Sequence, residues 1–261
     1  MEITSRENRI IKEVRRLLGD AKYRRECGLF VAEGARLCGD AVRSHIVVET
    51  ALLTARARRQ YADVAAAVES VAGQVAEIPE SLSDHLGDTD TPQGIFCICR
   101  VPSLFHTLEV SGRYAALERI QDPGNLGTMI RTAEAFGLHG MLLSDGCCDP
   151  YSPKVLRSSM GGVFRLPLIA VGSLADRLPQ LHTEGFRSYA CVVDSDAATV
   201  QQTSFPAGSV CVIGNEGQGL LKETVAVCSK RVTIPMAGRA ESLNASMAAG
   251  IVFWEMVRGN E

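Results

Sequence analysis

The sequence predicts an α/β protein with a small N-terminal domain, residues 1–105, and a larger C-terminal domain, residues 106–261. Short runs rich in Val, Ile and Leu alternate with helical segments along the C-terminal part, which is typical of a mostly parallel sheet covered on both faces. The stretch VPSLFHTLEVSGR, with Pro102 and Gly112, separates this pattern from an earlier one and is the best linker. A chain of 261 residues can bury a core in each part.

The N-terminal part begins with a predicted helix, NRIIKEVRRLL. Its apolar side chains share one side at helical spacing: Ile10, Ile11, Val14, Leu17 and Leu18. The elements predicted after it are a strand and a helix in GLFVAEGARLCGDAV, a strand in SHIVVETALLT, a helix in ARRQYADVAAAVESV, and closing strands in QVAEIP and TPQGIFCICR.

The C-terminal part alternates more regularly. RYAALERI predicts a strand, and NLGTMIRTAEAFG predicts a helix closed by Gly137. The alternation continues through MLLSD, SPKVLRSSMGG, LPLIAV, SLADRLPQLHTEG, SYACVVD, SVCVIGN, LKETVAVC and RVTIPM to a last helix, SLNASMAAGIVFWEMVR. Ligands of such sheets bind at the carboxyl ends of the strands, so the loops that follow strands are the candidates for a site.

Composition is that of an ordinary soluble protein, with 46% hydrophobic and 22% charged residues. No apolar run approaches the roughly 20 residues of a membrane span. The opening MEITSRENRIIKEV lacks the apolar core of a signal peptide, so we expect a cytoplasmic protein. The nine cysteines form no C-x-x-C pair and no zinc-finger spacing with histidine, which predicts reduced thiols and no metal site.

Charge is distributed unevenly. The net charge of −3 does not indicate a nucleic-acid partner, yet residues 6–25 carry eight basic side chains against three acidic ones. Such a segment can attract phosphates, although charge alone favours a solvated helix face. The candidate RNA contacts in it are Arg6, Arg9, Lys12, Lys22 and Arg24.

The first notable loop after a strand is QDPGNLGTMIRTAEAFG. Pro123 and Gly124 predict a turn, and Asn125 is placed to cap the following helix. Arg131 lies among apolar residues and needs a partner, because an unpaired buried charge is costly. That partner is either Glu134 in a salt bridge or a ligand phosphate or ribose.

The second loop, in VCVIGNEGQGL, has three glycines within six residues, so its backbone can approach a ligand closely. It matches neither the dinucleotide fingerprint nor a Walker loop. Glu216 at its centre would repel phosphate. The carboxylate therefore favours a ligand that has donors or positive charge.

The third loop is IPMAGRAESLNAS, where Ile234 ends a strand and Pro235 stops it. Ser242, Asn244 and Ser246 stand at the entrance of the most apolar helix. Side chains of these types either cap a helix or form a site, and Ser242 is the expected cap.

These three loops, taken in order, resemble the signature motifs of the SpoU/TrmH family of RNA ribose 2′-O-methyltransferases in the SPOUT superfamily. The motifs are N-x-G-x-x-x-R from Asn125, G-x-E-G-x-G-L from Gly214 and I-P-M-x-G-x-x-x-S-L-N-x-S from Ile234. The segments S-R-x-N-x-x-I-K from Ser5 and F-V-A-E-G-A-R-L from Phe30 resemble the substrate-binding domain often fused to that family. Ala245, where valine is frequent, is the one departure.

The resemblance implies a C-terminal domain closed by a trefoil knot and a ribosomal-protein-like N-terminal domain. It also implies S-adenosylmethionine as cofactor, an RNA substrate, most readily 23S ribosomal RNA, and a homodimer. The cofactor residues it implies are Gly214, Gly219, Ile234, Met236 and Leu243. The catalytic residues it implies are Asn125, Arg131, Glu216, Ser242 and Asn244.

The family assigns the proton-accepting role to the arginine of the first motif, here Arg131. A guanidinium has a pKa above about 12 and is a poor base at neutral pH. Arg131 is therefore either perturbed by the substrate phosphate, or it stays charged and stabilises the developing alkoxide. Glu216 is expected to orient the cofactor or Arg131, or to pair with Asn244.

Four other interpretations stay open on the residues. A transfer RNA ribose methyltransferase would carry the same motifs, and a non-catalytic RNA-binding protein would keep the fold with degraded ones. A related enzyme that methylates a base would need a side-chain base such as aspartate near the cofactor. A Rossmann-type dehydrogenase would need an early glycine fingerprint, which is absent from the sequence.

Overall fold

The computed structural model of the chain describes residues 1–87, 91–102 and 107–258. The chain divides into two compact units. Unit 1 comprises Met1–Pro102 and Asp149–Phe164, and unit 2 comprises Ser103–Cys148 and Arg165–Glu261. The boundary predicted at 105/106 lies outside the described residues, as does part of the predicted linker. The sequence assigned residues 149–164 to the C-terminal domain, because local periodicity predicts a helix without indicating which core that helix joins.

Helices and strands follow the predicted order closely. Before residue 103 the elements are α1 (Arg9–Gly19), α2 (Ala21–Cys27), β1 (Leu29–Glu33), α3 (Ala35–Arg43), β2 (Val48–Leu53), α4 (Ala55–Gln60), α5 (Ala62–Val71), β3 (Gln74–Glu77), α6 (Glu80–Leu86) and β4 (Ile95–Arg100). After residue 107 they are β5 (Tyr114–Leu117), α7 (Pro123–Ala135), β6 (Gly140–Leu143), α8 (Pro153–Ser159), β7 (Leu168–Ala170), α9 (Leu174–Thr183), β8 (Arg187–Cys191), β9 (Ala198–Thr199), β10 (Ser209–Ile213), α10 (Lys222–Val227), β11 (Lys230–Thr233) and α11 (Ala245–Val257).

Unit 1 is built on a four-stranded sheet of order β1-β4-β2-β3, in which β4 is antiparallel to both neighbours and β2 is parallel to β3. The predicted apolar side of α1 contributes Ile11, Val14 and Leu17 to the core. Two short helices, α2 and α6, have no counterpart in the prediction. Helix α2 forms because Asp20 caps it, with its Oδ1 accepting from the Tyr23 N–H at 2.9 Å.

Arg24 lies inside unit 1, in contrast to its predicted role in RNA contact. Its side chain is only 5% exposed; Nε donates to Asp149 Oδ2 at 2.6 Å, and Nη1 donates to the Leu17 carbonyl at 2.5 Å. A buried guanidinium requires such partners, so Arg24 ties α2 to the segment 149–164. The other four candidate RNA contacts, Arg6, Arg9, Lys12 and Lys22, are exposed.

Unit 2 contains a seven-stranded sheet of order β7-β6-β5-β10-β8-β11-β9. Every pairing in it is parallel, as the sequence predicts. All carboxyl ends therefore lie on one edge of the sheet. After β11, which pairs with β8 and β9, the chain places α11 against α7 and β10. The final segment thus passes from one half of the sheet to the other.

No helix in the described ranges is both long and apolar enough to cross a membrane. All nine cysteines are free thiols, and Cys38, Cys97, Cys99 and Cys211 are fully buried. Burial raises the pKa of the Cys211 thiol, which keeps it protonated and unreactive.

Candidate active site

The first motif loop forms the start of α7 at the carboxyl end of β5. Asp122, rather than the predicted Asn125, caps the helix: its Oδ1 accepts from the Asn125 N–H at 2.8 Å. Pro123 then occupies the first helical turn, where its missing N–H costs nothing. Asn125 is the third residue of the helix, and its side-chain amide is therefore available for other contacts.

The glycine loop after β10 is closed on itself by hydrogen bonds. Asn215 and Gly219 exchange two backbone bonds, at 3.1 and 2.9 Å, and Asn215 Oδ1 accepts from the N–H groups of Gly217 and Gln218. A Cβ on Gly214 would lie 2.3 Å from the Gly219 carbonyl carbon. Glycine is therefore required at 214 by the loop's own packing.

Glu216 projects from this loop onto the start of α7. Its Oε1 accepts from the Asp122 N–H at 3.2 Å and from Asn125 Nδ2 at 3.1 Å. Its Oε2 accepts from the Gln121 N–H and Asn215 Nδ2, both at 3.3 Å. Burial alone would raise the pKa of Glu216, but these donors outweigh it and lower the pKa below its usual value. The carboxylate is thus ionised at neutral pH.

A chain of amides links the glycine loop to α11. Asn125 Nδ2 donates to Glu216 Oε1, and Asn125 Oδ1 accepts from Asn244 Nδ2 at 3.0 Å. Asn244 Oδ1 accepts from Ser246 N–H at 2.9 Å and Oγ at 2.7 Å, which caps α11. The helix cap is therefore Asn244 and not Ser242. The predicted pairing of Glu216 with Asn244 runs through Asn125.

Arg131 is exposed on α7, and the apolar surroundings read from the sequence do not enclose it. Within the described residues it makes no hydrogen bond or ion pair. Glu134, the salt-bridge partner considered from sequence, accepts instead from Arg165 Nε at 2.8 Å. A guanidinium without a protein partner can take an anionic ligand.

An apolar cavity of about 90 Å³ lies at the carboxyl ends of β8 and β11. Ile234, Met236 and Leu243 line it, as three of the five predicted cofactor residues, together with Ser242. Gly214 and Gly219 are not among its lining residues. Eight other lining residues were not predicted from the sequence: Cys191, Val192, Val193, Val200, Val232, Thr233, Ala248 and Val252. The apolar strand end SYACVV, followed by a loop, was the available signal for the first three.

The backbone of residues 236–243 is unusually open. Within the described chain, these residues make no backbone hydrogen bond, and all but Met236 are exposed. Their N–H and C=O groups are therefore free to bind a polar ligand such as a nucleoside. No group of three or more His, Cys, Asp or Glu side chains among the described residues could hold a metal ion.

Fold and site together define a class of protein. A parallel sheet carries at its carboxyl edge an apolar cavity next to the open backbone of residues 236–243. Arg131, which has no partner among the described residues, lies on a helix bonded to Asn244 at the end of that segment. This is the arrangement of a group-transfer enzyme with a nucleotide-like cofactor and an anionic substrate.

Comparisons with known proteins agree with this class. The SpoU rRNA Methylase family matches residues 112–254, and the MRM3-like substrate binding domain matches residues 8–97. The chain is 30% identical over 98% of its length to the 23S rRNA (guanosine(2553)-2′-O)-methyltransferase RlmP of Bacillus subtilis, covering 98% of that protein. It is 31% identical to the 23S rRNA (uridine(2479)-2′-O)-methyltransferase of Streptomyces viridochromogenes, over 98% and 91% of the two chains.

A solved structure is also similar throughout. The AdoMet-bound rRNA methyltransferase of Sinorhizobium meliloti superposes with a TM-score of 0.87 at 33% identity, covering 99% of this chain and 97% of that one. The protein therefore belongs to the SpoU rRNA methylase family. The fold class, the enzyme class and S-adenosylmethionine as methyl donor, all expected from the motifs, are thereby confirmed.

Proposed function

We propose that this protein transfers a methyl group to the ribose 2′-hydroxyl of one nucleotide in 23S ribosomal RNA, and that it acts as a homodimer. The observation that carries the proposal is the position of Arg131. This exposed cation, which has no partner in the described parts of the chain, lies on the helix whose first turn is bonded to Asn244, next to the cavity residue Leu243.

Two features support ribosomal RNA as the substrate. Both relatives described above are named for 23S rRNA, although they modify a guanosine and a uridine at different positions. The target nucleotide therefore does not carry over from either name. Unit 1 adds four exposed basic side chains within the domain that matches a substrate-binding family: Arg6, Arg9, Lys12 and Lys22.

The cavity residues suit the cofactor in chemistry. Val200, Val232 and Val252 provide apolar walls for a purine ring, and the backbone of 236–243 provides donors and acceptors for its edge. Because that segment makes no backbone hydrogen bond within the described chain, its adjustment to a bound ligand is inexpensive.

The bound cofactor supplies a methyl group on a sulfonium centre. The chain's own task is to hold the ribose hydroxyl in line with that methyl, since positioning carries much of the rate. Arg131 binds the adjacent phosphate and stabilises the negative charge that develops on the ribose oxygen. Ser242, at the cavity and exposed, is placed to orient the ribose by a neutral hydrogen bond.

Glu216 acts as an anchor in this scheme. Both of its oxygens already accept two N–H groups, so it is poorly placed to take a proton from the substrate. It fixes the amide of Asn125, which in turn fixes Asn244. The ribose proton therefore leaves to phosphate or water.

Exposed apolar side chains on α11 support a dimer. Met247 is 63% exposed and Trp254, seven residues on, is 50% exposed, with its ring 5.6 Å from that of Phe136. Large apolar groups clustered on one helix face mark an association surface. Sedimentation analysis of Trp254→Glu should give a monomer, and a dimer unchanged by that substitution would exclude this face.

Two further parts of the proposal follow from the family resemblance. The passage of the final segment from β11 to α11, across β10, supports a trefoil knot. Nine free thiols and a ribosomal substrate support a cytoplasmic location.

The decisive experiment maps 2′-O-methylation across ribosomal and transfer RNA in cells with and without the gene. One 23S position should lose its methyl group, regain it with the wild-type gene, and fail to regain it with Arg131→Ala. A lost position in transfer RNA would replace the substrate assignment. Purified protein that shows no S-adenosylmethionine binding by calorimetry would support the non-catalytic RNA-binding alternative.

A further inference from the structure

A second cavity, of about 180 Å³, lies wholly within unit 1, between the start of α3 and helix α8. It is lined by residues of the F-V-A-E-G-A-R-L segment on one side and by α8 on the other. The volume exceeds what one or two buried waters need. None of the site residues described above lies in it.

Three apolar side chains contribute to the lining of this cavity, called the slot below. Leu37 of α3 and Leu156 of α8 are buried, and Met160 lies at the end of α8. Met160 holds a left-handed conformation with φ of 51°, which is uncommon for a residue with a side chain and marks a constrained position. Apolar side chains from two helices suit the face of a heterocyclic ring.

The rim of the slot offers both kinds of hydrogen-bonding group. Gln93 Oε1 accepts from the Ala35 N–H at 2.7 Å, which fixes the orientation of the amide. Its Nε2 then has no acceptor among the described residues and is available as a donor. Glu33 also lines the cavity, and a carboxylate has lone pairs for more than one hydrogen bond. A donor and an acceptor beside apolar walls can bind the edge of a nucleobase.

Two arginines line the cavity beside two carboxylates. Arg36 is exposed and makes no hydrogen bond or ion pair with the described residues, and Arg157 borders the cavity from α8. Asp40, the second acidic lining residue, is paired with Arg43 at 2.5 Å. The first turn of α3 contains no acidic residue, so the positive end of the helix dipole is not offset there. Phosphates on either side of a bound base would meet this charge.

We propose that this slot binds one unstacked nucleobase of the RNA substrate, with the adjoining phosphates held by Arg36 and Arg157. The inference rests on the proposed function, in that RNA is the substrate. Single-stranded RNA is recognised in this manner, by bases placed against apolar side chains and hydrogen-bonded along their edges. The slot would thereby select a loop or bulge at a distance from the methylated nucleotide.

The test uses the full-length protein and a 23S rRNA transcript, crosslinked by short-wave ultraviolet light and digested. Mass spectrometry should find a crosslinked nucleotide on peptides that contain residues 34–37 or 156–160. Crosslinks confined to other parts of unit 1, such as the exposed face of α1, would overturn the inference.

Affinity for the same transcript provides the second arm. Arg36→Ala should weaken binding about tenfold and reduce the slope of log affinity against log salt by about one. Arg59→Ala removes an equally exposed arginine from the same unit, on α4, and should change neither quantity. Equal behaviour of the two variants would overturn the inference.

Methylation of the transcript by the wild-type protein separates the two proposals. A transcript that is methylated but does not crosslink to the slot overturns only the inference about unit 1. A transcript that is neither bound nor methylated overturns the substrate assignment, and the slot proposal with it.

Discussion

Two loops at the same edge of the unit 2 sheet differ in how their polar groups are satisfied. In residues 214–219, a side chain and two backbone bonds close the loop, and Glu216 accepts four N–H groups. In residues 236–243, no backbone group bonds to the described chain. The first loop is complete without a ligand, whereas the second has its hydrogen-bonding groups unpaired.

The difference indicates a division of labour. The glycine loop fixes the start of α7 and, through Asn125 and Asn244, the start of α11. The segment 236–243 lies between two fixed residues, Thr233 at the end of β11 and Asn244 at the cap of α11. The hydrogen-bonded glycine loop and helix starts thus fix the ends of the segment 236–243, while the segment itself can adapt. This combination suits a site that must admit and release a cofactor.

The largest expected effect concerns Arg131, which lies on α7, the helix whose start is fixed by the glycine loop. Arg131→Ala should lower kcat by about 100- to 1000-fold, because a donor that stabilises developing charge is lost, while cofactor affinity stays unchanged. Single-turnover assays and calorimetry measure the two quantities. Arg187→Ala, an exposed arginine at the amino end of β8, is the matched control. Normal turnover in Arg131→Lys would show that the planar guanidinium is not needed.

The next effect tests the rigidity of the glycine loop. Gly214→Ala should reduce the free energy of unfolding by about 1–3 kcal/mol, because its Cβ would overlap the backbone of Gly219 and Leu220. Gly217→Ala is the control, since the nearest atom to its Cβ would be Asn215 Oδ1 at 3.8 Å. Equal denaturant midpoints for the two variants would contradict the close packing of the loop.

A smaller effect is expected from the Glu216 carboxylate. Its pKa is lowered in the folded state, so its contribution to stability is complete above the usual carboxyl value of 4.5 and is lost as the pH falls through the folded pKa. The melting temperature of wild type should therefore exceed that of Glu216→Gln at pH 7, and the gap should close below pH 4.5. Turnover of the variant should fall by about tenfold as Asn125 loses its anchor. A difference in melting temperature that does not change with pH would show that the substitution acts through side-chain shape and not through charge.

The smallest expected effect is a change in hydrogen exchange, which compares the two loops directly. Hydrogen exchange at backbone amides of 236–243 should be fast in the free protein and a few-fold slower with S-adenosylmethionine. Amides of Asn215 and Gly219, already bonded to each other, should change little. Equal protection of both loops by the cofactor would contradict the distinction between the fixed loop 214–219 and the adaptable segment 236–243.

A candidate site can be predicted from this sequence because its parts are local. Each motif follows a strand whose apolar run is unmistakable, and glycine, proline and asparagine mark the turns at fixed spacings. Ile234, Met236 and Leu243, predicted to bind the cofactor, line one cavity at the carboxyl ends of β8 and β11. The roles of individual polar side chains were harder to predict. Asp122 caps α7 where Asn125 was expected, and Asn244 caps α11 where Ser242 was expected.

The sequence by itself therefore determined the order of strands and helices, the parallel sheet and the three loops, because periodicity and turn chemistry are properties of short segments. Only the tertiary structure decided which distant groups meet. Residues 149–164 lie in unit 1, where Asp149 pairs with the buried Arg24, and Glu216 is linked to Asn244 through Asn125, which is 91 positions from Glu216 in the chain. Buried charges and side-chain amides select their partners by distance in space, which no local pattern encodes.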